Sequence, residues 1–225
     1  DAGRVSELRF LLDSTTADVS RGPSVMYRAG SAEKGLLLGV RRAETGALRT
    51  GGDALVPLSD LTVSAFRAKG RLTRGAHTLT AAGFGVAIDD AAQTSALGEG
   101  EIGLTDTQDL KASLGYAFDG SGVLKRTSVK LGVHRLSESE HRHQCFTDDS
   151  GPIDPDACLS LTPTMLAGQS LHDDTVSAGR FAADAALLFG ERLSVTATAA
   201  GQQERIDSTR FDQQPDGAWA QADRC

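Results

Sequence analysis

The clearest pattern in the chain is an alternation of apolar with polar or small residues at every second position. In the segment DLKASLGYAFDGSG, the apolar positions are separated by lysine, serine, glycine and alanine. The alternating positions are Leu110, Ala112, Leu114, Tyr116 and Phe118. Successive side chains of a β-strand point to opposite faces of a sheet. The segment is therefore predicted to be a strand with one apolar face.

The same alternation recurs in other segments, among them LKRTSVKLGVHRLSESEHRH, TVSAFRAKGRL and VSAGRFAADAALLFG. Between the first two strands of this type, the sequence DGSG supplies the residues of a tight hairpin turn. We count about eight candidate strands in four hairpins.

The connections between these strands alternate in length. The short ones are SAEK, TRGAH, DGSG and FGER, and the long ones run from Thr45 to Asp60, Ile88 to Thr107 and Glu138 to Asp174. Outer-membrane barrels have short turns at one end and long loops at the other. Strands such as Leu124 to Glu140 also exceed the usual five or six residues. We predict an all-β fold, an antiparallel up-and-down portion of a transmembrane β-barrel.

The polar faces of these strands carry charges that would be costly in a packed core but suit the wall of a water-filled or plugged lumen. The residues predicted to face the lumen are Arg67, Lys69, Arg71, Lys111, Lys130, His134, Arg180 and Asp184. The basic residues among positions 67 to 71 have two interpretations, attraction of an anionic ligand or pairing with acidic residues of a plug. We favour pairing, because an inward charge needs a partner.

Composition narrows the function classes. The formal net charge of −7, with basic residues scattered along the chain, argues against nucleic-acid binding. No window has the roughly 18 apolar residues of a membrane-spanning helix. There is neither a GxSxG motif nor a phosphate-binding glycine loop, so we predict no enzyme, no catalytic residue and no resident metal.

Two of the three cysteines, Cys145 and Cys158, lie close together in a segment rich in Gly, Pro and Asp. We predict that they form a local disulfide, which favours an oxidising compartment. Cys225 is then left with a predicted partner beyond the end of this sequence.

The segment SEHRHQCFTDDSGPIDPDAC raises the question of a metal or ligand site. His141, His143 and Cys145 occupy alternate positions and would share one face of a strand, where a metal or haem could bind. The alternative, which we favour, is an external loop with solvated histidines. His141 and His143 then remain candidate contacts for a ligand at the cell surface. The acidic residues Asp148, Asp149, Asp154 and Asp156 could bind calcium, but their spacing matches no EF-hand, so solvation is preferred.

The order of these features resembles TonB-dependent outer-membrane receptors. GRVSELRFLLDSTTADV resembles the end of their plug domain, with Gly3, Val5 and Phe10 in the corresponding places. KGLLLGVRRAETGALRTGGDALVPLS is similar to the second barrel strand and first external loop of the haem, haemoglobin and transferrin receptor branch. The segments GAHTLTAAG, LTDTQDLKASLGYAFDGSGVLKRTSVKLGVHRLSE and DDTVSAGRFAADAALLFGERLSVTATAAGQQERIDSTRF resemble its later hairpins.

The resemblance implies a barrel of about 22 strands around a plug, of which this chain holds a part. Residues 1–20 would be the end of the plug and its linker, and residues 21–225 the N-terminal part of the barrel. It further implies energy-coupled uptake of an iron-bearing ligand, such as haem or a haemoprotein, in the bacterial outer membrane. The partners would be outer-membrane lipid and an inner-membrane energy-coupling complex, with no covalently bound cofactor. The alternative is a non-transporting outer-membrane barrel or a secreted all-β adhesin that binds a partner through long loops.

Overall fold

The structure is a computed structural model that describes residues 4–14, 21–46, 60–92, 101–144, 168–189, 193–213 and 218–221. These residues form one antiparallel sheet of ten strands. The strands are β1 (Val5–Ser14), β2 (Arg21–Gly30), β3 (Lys34–Thr45), β4 (Leu61–Arg74), β5 (His77–Ala92), β6 (Glu101–Asp119), β7 (Leu124–Gln144), β8 (Gly168–Phe189), β9 (Leu193–Gln213) and β10 (Trp219–Gln221). Within the described ranges, no helix is long and apolar enough to cross a membrane.

The strands are hydrogen-bonded in the order in which they follow one another along the chain. The predicted all-β, antiparallel up-and-down arrangement is therefore confirmed. The sheet is open, because the two outermost strands, β1 and β10, each pair with a neighbour on one side within the described residues. Closure into a barrel thus remains a prediction.

Two of the predicted tight turns are present between long strands. Residues 75 and 76 join β4 to β5, and Gly75 has a φ of 57°, a conformation that glycine adopts without steric cost. The sequence DGSG joins β6 to β7, where the backbone N–H of Gly120 donates to the carbonyl of Lys125 at 2.9 Å.

The sheet contains more strands than the predicted eight. One added strand is the short β10, and the other is β1, which pairs with β2 over ten consecutive residues. In β1 the alternating residues Leu8, Phe10 and Leu12 share a face with Val25 and Tyr27 of β2. Val5–Ser14, which the resemblance placed at the end of a plug, therefore extends the same sheet. The division of the chain at residue 20 remains a prediction.

The expected lengths of two long connections are wrong. We expected connections from Ile88 to Thr107 and from Glu138 to Asp174, but β6 begins at Glu101 and β7 continues to Gln144. Residues 138–144 are all polar, so apolar alternation does not mark them as strand, and in residues 101–106 only Ile102 and Leu104 are apolar. Their backbone nevertheless continues the hydrogen-bonded ladder, since His141 lies opposite both Leu104 and Leu171. Ser139–Gln144 is thus strand and not loop.

The cross-strand register separates the sheet into two faces. One carries the pairs Leu114–Leu131 and Leu131–Phe181, and we call it the belt face. The other carries the pair Lys111–His134, and we call it the polar face. The alternation predicted for β4, β6, β7 and β8 is confirmed by this register.

The sheet has almost no hydrophobic core of its own. Ala178 is the only apolar residue that is buried among the described residues. Large apolar side chains are instead exposed on the belt face, with exposed fractions of 51% for Leu131 and 63% for Val133. A soluble domain rarely leaves such a continuous apolar surface uncovered.

Candidate functional site

The polar face brings together all eight residues that the alternation assigned to a lumen. Register pairs place them on this face directly or through their neighbours on adjacent strands. They are Arg67, Lys69, Arg71, Lys111, Lys130, His134, Arg180 and Asp184. Their common face is a property of the sheet, whereas the lumen that it would line remains a prediction.

A carboxylate at the centre of the polar face joins two of these residues. Asp109 Oδ2 lies 2.6 Å from Lys111 Nζ, and Asp109 Oδ1 lies 2.8 Å from His134 Nε2. Lys111 follows Asp109 by two positions on β6, and His134 lies opposite Lys111 on β7. The three side chains therefore form one hydrogen-bonded cluster across two strands, with Asp109 in the centre.

A second carboxylate bridges three strands. Asp184 on β8 lies opposite Ser128 on β7 and Thr198 on β9. Its Oδ2 accepts a hydrogen bond from Ser128 Oγ at 3.2 Å, and its Oδ1 accepts one from Thr198 Oγ1 at 3.0 Å. Each carboxylate oxygen thus accepts one hydrogen bond from a hydroxyl group.

Arg67, Lys69 and Arg71 form a basic column along β4. No carboxylate among the described residues pairs with any of the three. Arg67 Nη2 lies 2.9 Å from Met26 Sδ, and Arg71 Nε donates to Thr73 Oγ1 at 3.2 Å. The acidic partners that we predicted for this column do not lie in the described part of the sheet.

Sequence reasoning missed polar residues at the end of the sheet that bears the long connections. Glu140 is buried, and its Oε1 lies 2.9 Å from Arg142 Nε. His172, directly opposite Glu140, has its Nε2 3.1 Å from Ser208 Oγ. The sequence did offer one indication: Glu140 lies six positions after His134 on the same strand, so its side chain points to the same face.

The candidate ligand residues near the end of β7 are only partly within the described structure. His141 is exposed and lies on β7, as does the backbone of His143. Cys145, Cys158 and Cys225 lie outside the described residues, as do Asp148, Asp149, Asp154 and Asp156. Their predicted disulfide and solvation remain predictions. In the part of the chain that the structure describes, no group of three His, Cys, Asp or Glu residues is placed to hold a metal ion.

The apolar residues of the belt face form a band that crosses the strands obliquely. The band is centred on Phe10 in β1, between Leu8 and Leu12, and on Ala197 in β9, which lies midway between Leu193 and Gly201. Following the register from strand to strand, Phe10 falls in the row of Leu110 of β6. Ala197 falls in the row of Phe118. The band therefore moves toward the short turns from β1 to β9.

The slope of this band gives a strand tilt. Rows 110 and 118 of β6 are eight residues apart, and β1 and β9 are eight strand steps apart, so the band moves about one residue per step. One residue rises about 3.3 Å along a strand, and neighbouring strands lie about 4.8 Å apart. The strands are thus inclined by about 35° to the normal of the band. Strands of outer-membrane barrels are tilted by about 35–45°.

Comparison with known proteins gives no family for this chain. No protein-family model matches the sequence. A search of curated proteins also finds no match.

Proposed function

We propose that this chain forms part of the wall of an outer-membrane β-barrel that takes up an iron-bearing ligand, such as haem or a haemoprotein, with energy from an inner-membrane complex. The observation that carries the membrane part is the oblique apolar band of the belt face. A band that runs level with a bilayer must cross tilted strands at successive heights, as this band does.

The height of the band is consistent with a bilayer. In β6 it runs from Leu110 to Phe118, and in β9 from Leu193 to Gly201. Eight residue steps span about 26 Å along a strand and about 22 Å along an axis tilted by about 35°. The apolar band of outer-membrane barrels is about 25 Å tall. Lipid would cover the side chains that the sheet itself leaves exposed.

The chemistry of the polar face supports a barrel wall that contacts lipid on one surface only. Arg67, Lys69 and Arg71 are exposed there, in the same strand that presents Phe66 and Leu72 on the belt face. Charged side chains keep their hydration when the space beside them holds water or a polar domain. Uptake of an iron-bearing ligand rests on the resemblance of the hairpins to the haem receptor branch.

The membrane part is tested by single-cysteine labelling in intact cells that express the complete gene, with native cysteines replaced by serine. We expect Leu131→Cys to be quenched by a lipid-soluble probe and Lys130→Cys to be protected from it. Fractionation and heat-modifiable gel mobility provide the controls. A soluble protein, or equal quenching at both positions, would refute the barrel wall.

The transport part is tested by deleting the gene in the native host and measuring growth with haem, haemoglobin or ferric chelates as the sole iron source. We expect loss of growth on one of these sources and rescue by the intact gene. Wild-type growth on all of them, with the protein still in the outer membrane, would leave the non-transporting barrel as the function and exclude uptake.

A further inference from the structure

Toward the long connections, the apolar band of the belt face ends at Val133 on β7 and at Gly201, followed by Gln203, on β9. Leu110 of β6 lies in the same row as Arg135 of β7, Ser177 of β8 and Arg205 of β9. On β1 to β4 this row is still apolar, with Phe66 as one member. Two arginines and a serine therefore follow the apolar residues at the border that lies toward the long connections, with Arg135 directly after Val133 on this face and Arg205 after Gln203.

A hollow lies beside this border. It has a volume of about 580 Å³ and is lined by residues of the neighbouring row as well as by the two arginines. Gly83, Ala112 and Gly179 have little or no side chain and lie in one row of the belt face, between bulkier neighbours such as Leu110 and Val133. Small residues beside larger ones leave an apolar groove that continues from the cationic border into the band.

The two arginines have donors available for a ligand. No hydrogen bond or ion pair joins Arg135 to another residue in the described ranges. Arg205 uses Nε and Nη2 for Asp207: Nε lies 2.8 Å from Oδ2, and Nη2 donates to Oδ1 at 2.9 Å. These side chains are 77% and 56% exposed. Such exposed pairs are weak, and a guanidinium has five N–H donors, so this pair leaves Arg205 able to bind a second anion.

The spacing suits one anionic group. Arg135 and Arg205 are two strands apart, which places their backbones about 10 Å from each other, with Ser177 between them. Two arginine side chains of ordinary length can converge over this distance, and guanidinium groups bind phosphate oxygens in a bidentate manner. The serine hydroxyl adds a donor at the centre.

We propose that Arg135, Ser177 and Arg205 bind the phosphate of an anionic lipid whose acyl chain lies in the adjacent apolar groove. This proposal rests on the proposed membrane location, which sets the border of the band at the level of lipid headgroups. A free phosphate would use the cations alone, whereas a lipid also uses the groove, and the groove is continuous with the cationic border.

The experiment measures lipid binding to the full-length protein in uncharged detergent by native mass spectrometry. The probes are phosphatidic acid, diacylglycerol with the same acyl chains, and inorganic phosphate. We expect phosphatidic acid to bind best and R135Q/R205Q to weaken its binding about tenfold or more, because charge-assisted hydrogen bonds are lost. The matched control, R67Q/R71Q, removes two arginines from the polar face and should bind phosphatidic acid as the wild type does.

A second variant tests the groove. Gly179→Leu fills the groove. It should weaken the binding of phosphatidic acid and leave the binding of inorganic phosphate unchanged. If R135Q/R205Q bound phosphatidic acid as the wild type does, these arginines would not form the binding site. If the wild type bound inorganic phosphate as tightly as phosphatidic acid, the ligand would not be a lipid. Fractionation and heat-modifiable mobility of the same variants separate these outcomes from failure of the proposed function: a membrane protein without selective lipid binding refutes only the lipid site.

Discussion

The two faces of the sheet differ in chemistry although the same strands build both. On β6 and β7, Leu114 faces Leu131 on the belt face, whereas Lys111 faces His134 on the polar face. Neither face is covered by a second layer of described residues, and both leave large side chains exposed. The difference therefore cannot come from packing within this sheet. The proposed membrane location would supply two different surroundings, lipid on one side and water or polar protein on the other.

The largest expected effect comes from placing a charge on each face. Leu131→Arg should destabilise the protein by about 2–4 kcal/mol in a bilayer, because it puts a cation near the middle of the apolar band. The matched variant Ser113→Arg adds the same side chain to the polar face and should change stability much less. Urea unfolding of the full-length protein in phosphatidylcholine vesicles measures both. Equal effects of the two variants would remove the distinction between the faces.

Two glycines of the belt face should respond differently to the same change. A Cβ atom at Gly85 would overlap the ring of Phe66 and would lie 2.9 Å from Leu110 Cδ2, whereas one at Gly83 meets nothing within 4 Å. We expect Gly85→Ala to cost about 1–3 kcal/mol because the ring must move. Gly83→Ala should stay within about 1 kcal/mol of the wild type. The same unfolding assay compares the two variants. A similar loss of stability at both positions would show that the packing of the Phe66 ring does not require a glycine at position 85.

Removing the hydrogen-bonded carboxylate of the polar face, Asp109, should reduce stability more than removing the exposed carboxylate at the border of the belt face, Asp207. Asp109→Ala leaves both Lys111 and His134 without their partner and should cost about 1–2 kcal/mol. Asp207→Ala removes only an exposed partner of Arg205 and should have little effect. Unfolding midpoints at fixed pH and salt measure the difference. A larger loss for Asp207→Ala would contradict the comparison.

The smallest expected effect concerns a polar pair on the belt face near the short turns. The Tyr116 hydroxyl lies 2.8 Å from His77 Nδ1, so Tyr116→Phe should cost about 0.5 kcal/mol through one lost hydrogen bond. The control is Tyr27→Phe, whose hydroxyl accepts only a long 3.4 Å contact from Ser6 Oγ and should matter less. Replicate unfolding curves resolve this ranking, and the reverse order would show that the His77 contact is not formed in the membrane.

Much of the polar face could be predicted, but its contacts could not. Parity along each strand placed Lys111, His134 and Asp184 on one face without any knowledge of the neighbouring strands. The clusters depend on residues that are distant in sequence, since Ser128 and Asp184 are 56 positions apart. Arg135 was missed because it lies two positions after Val133 on the same strand and therefore belongs to the apolar face.

The sequence alone determined the period-two alternation, the strand character and the short turns, because these depend on neighbouring residues and on the direction of successive side chains. The tertiary structure decided the register, and with it the oblique band, the cluster around Asp109 and the position of Arg135 and Arg205 in one row of the belt face. It also showed that Val5–Ser14 and Ser139–Gln144 are strands. Register depends on backbone hydrogen bonds between whole strands, and a shift of one residue moves every side chain to the other face. No single segment contains that information.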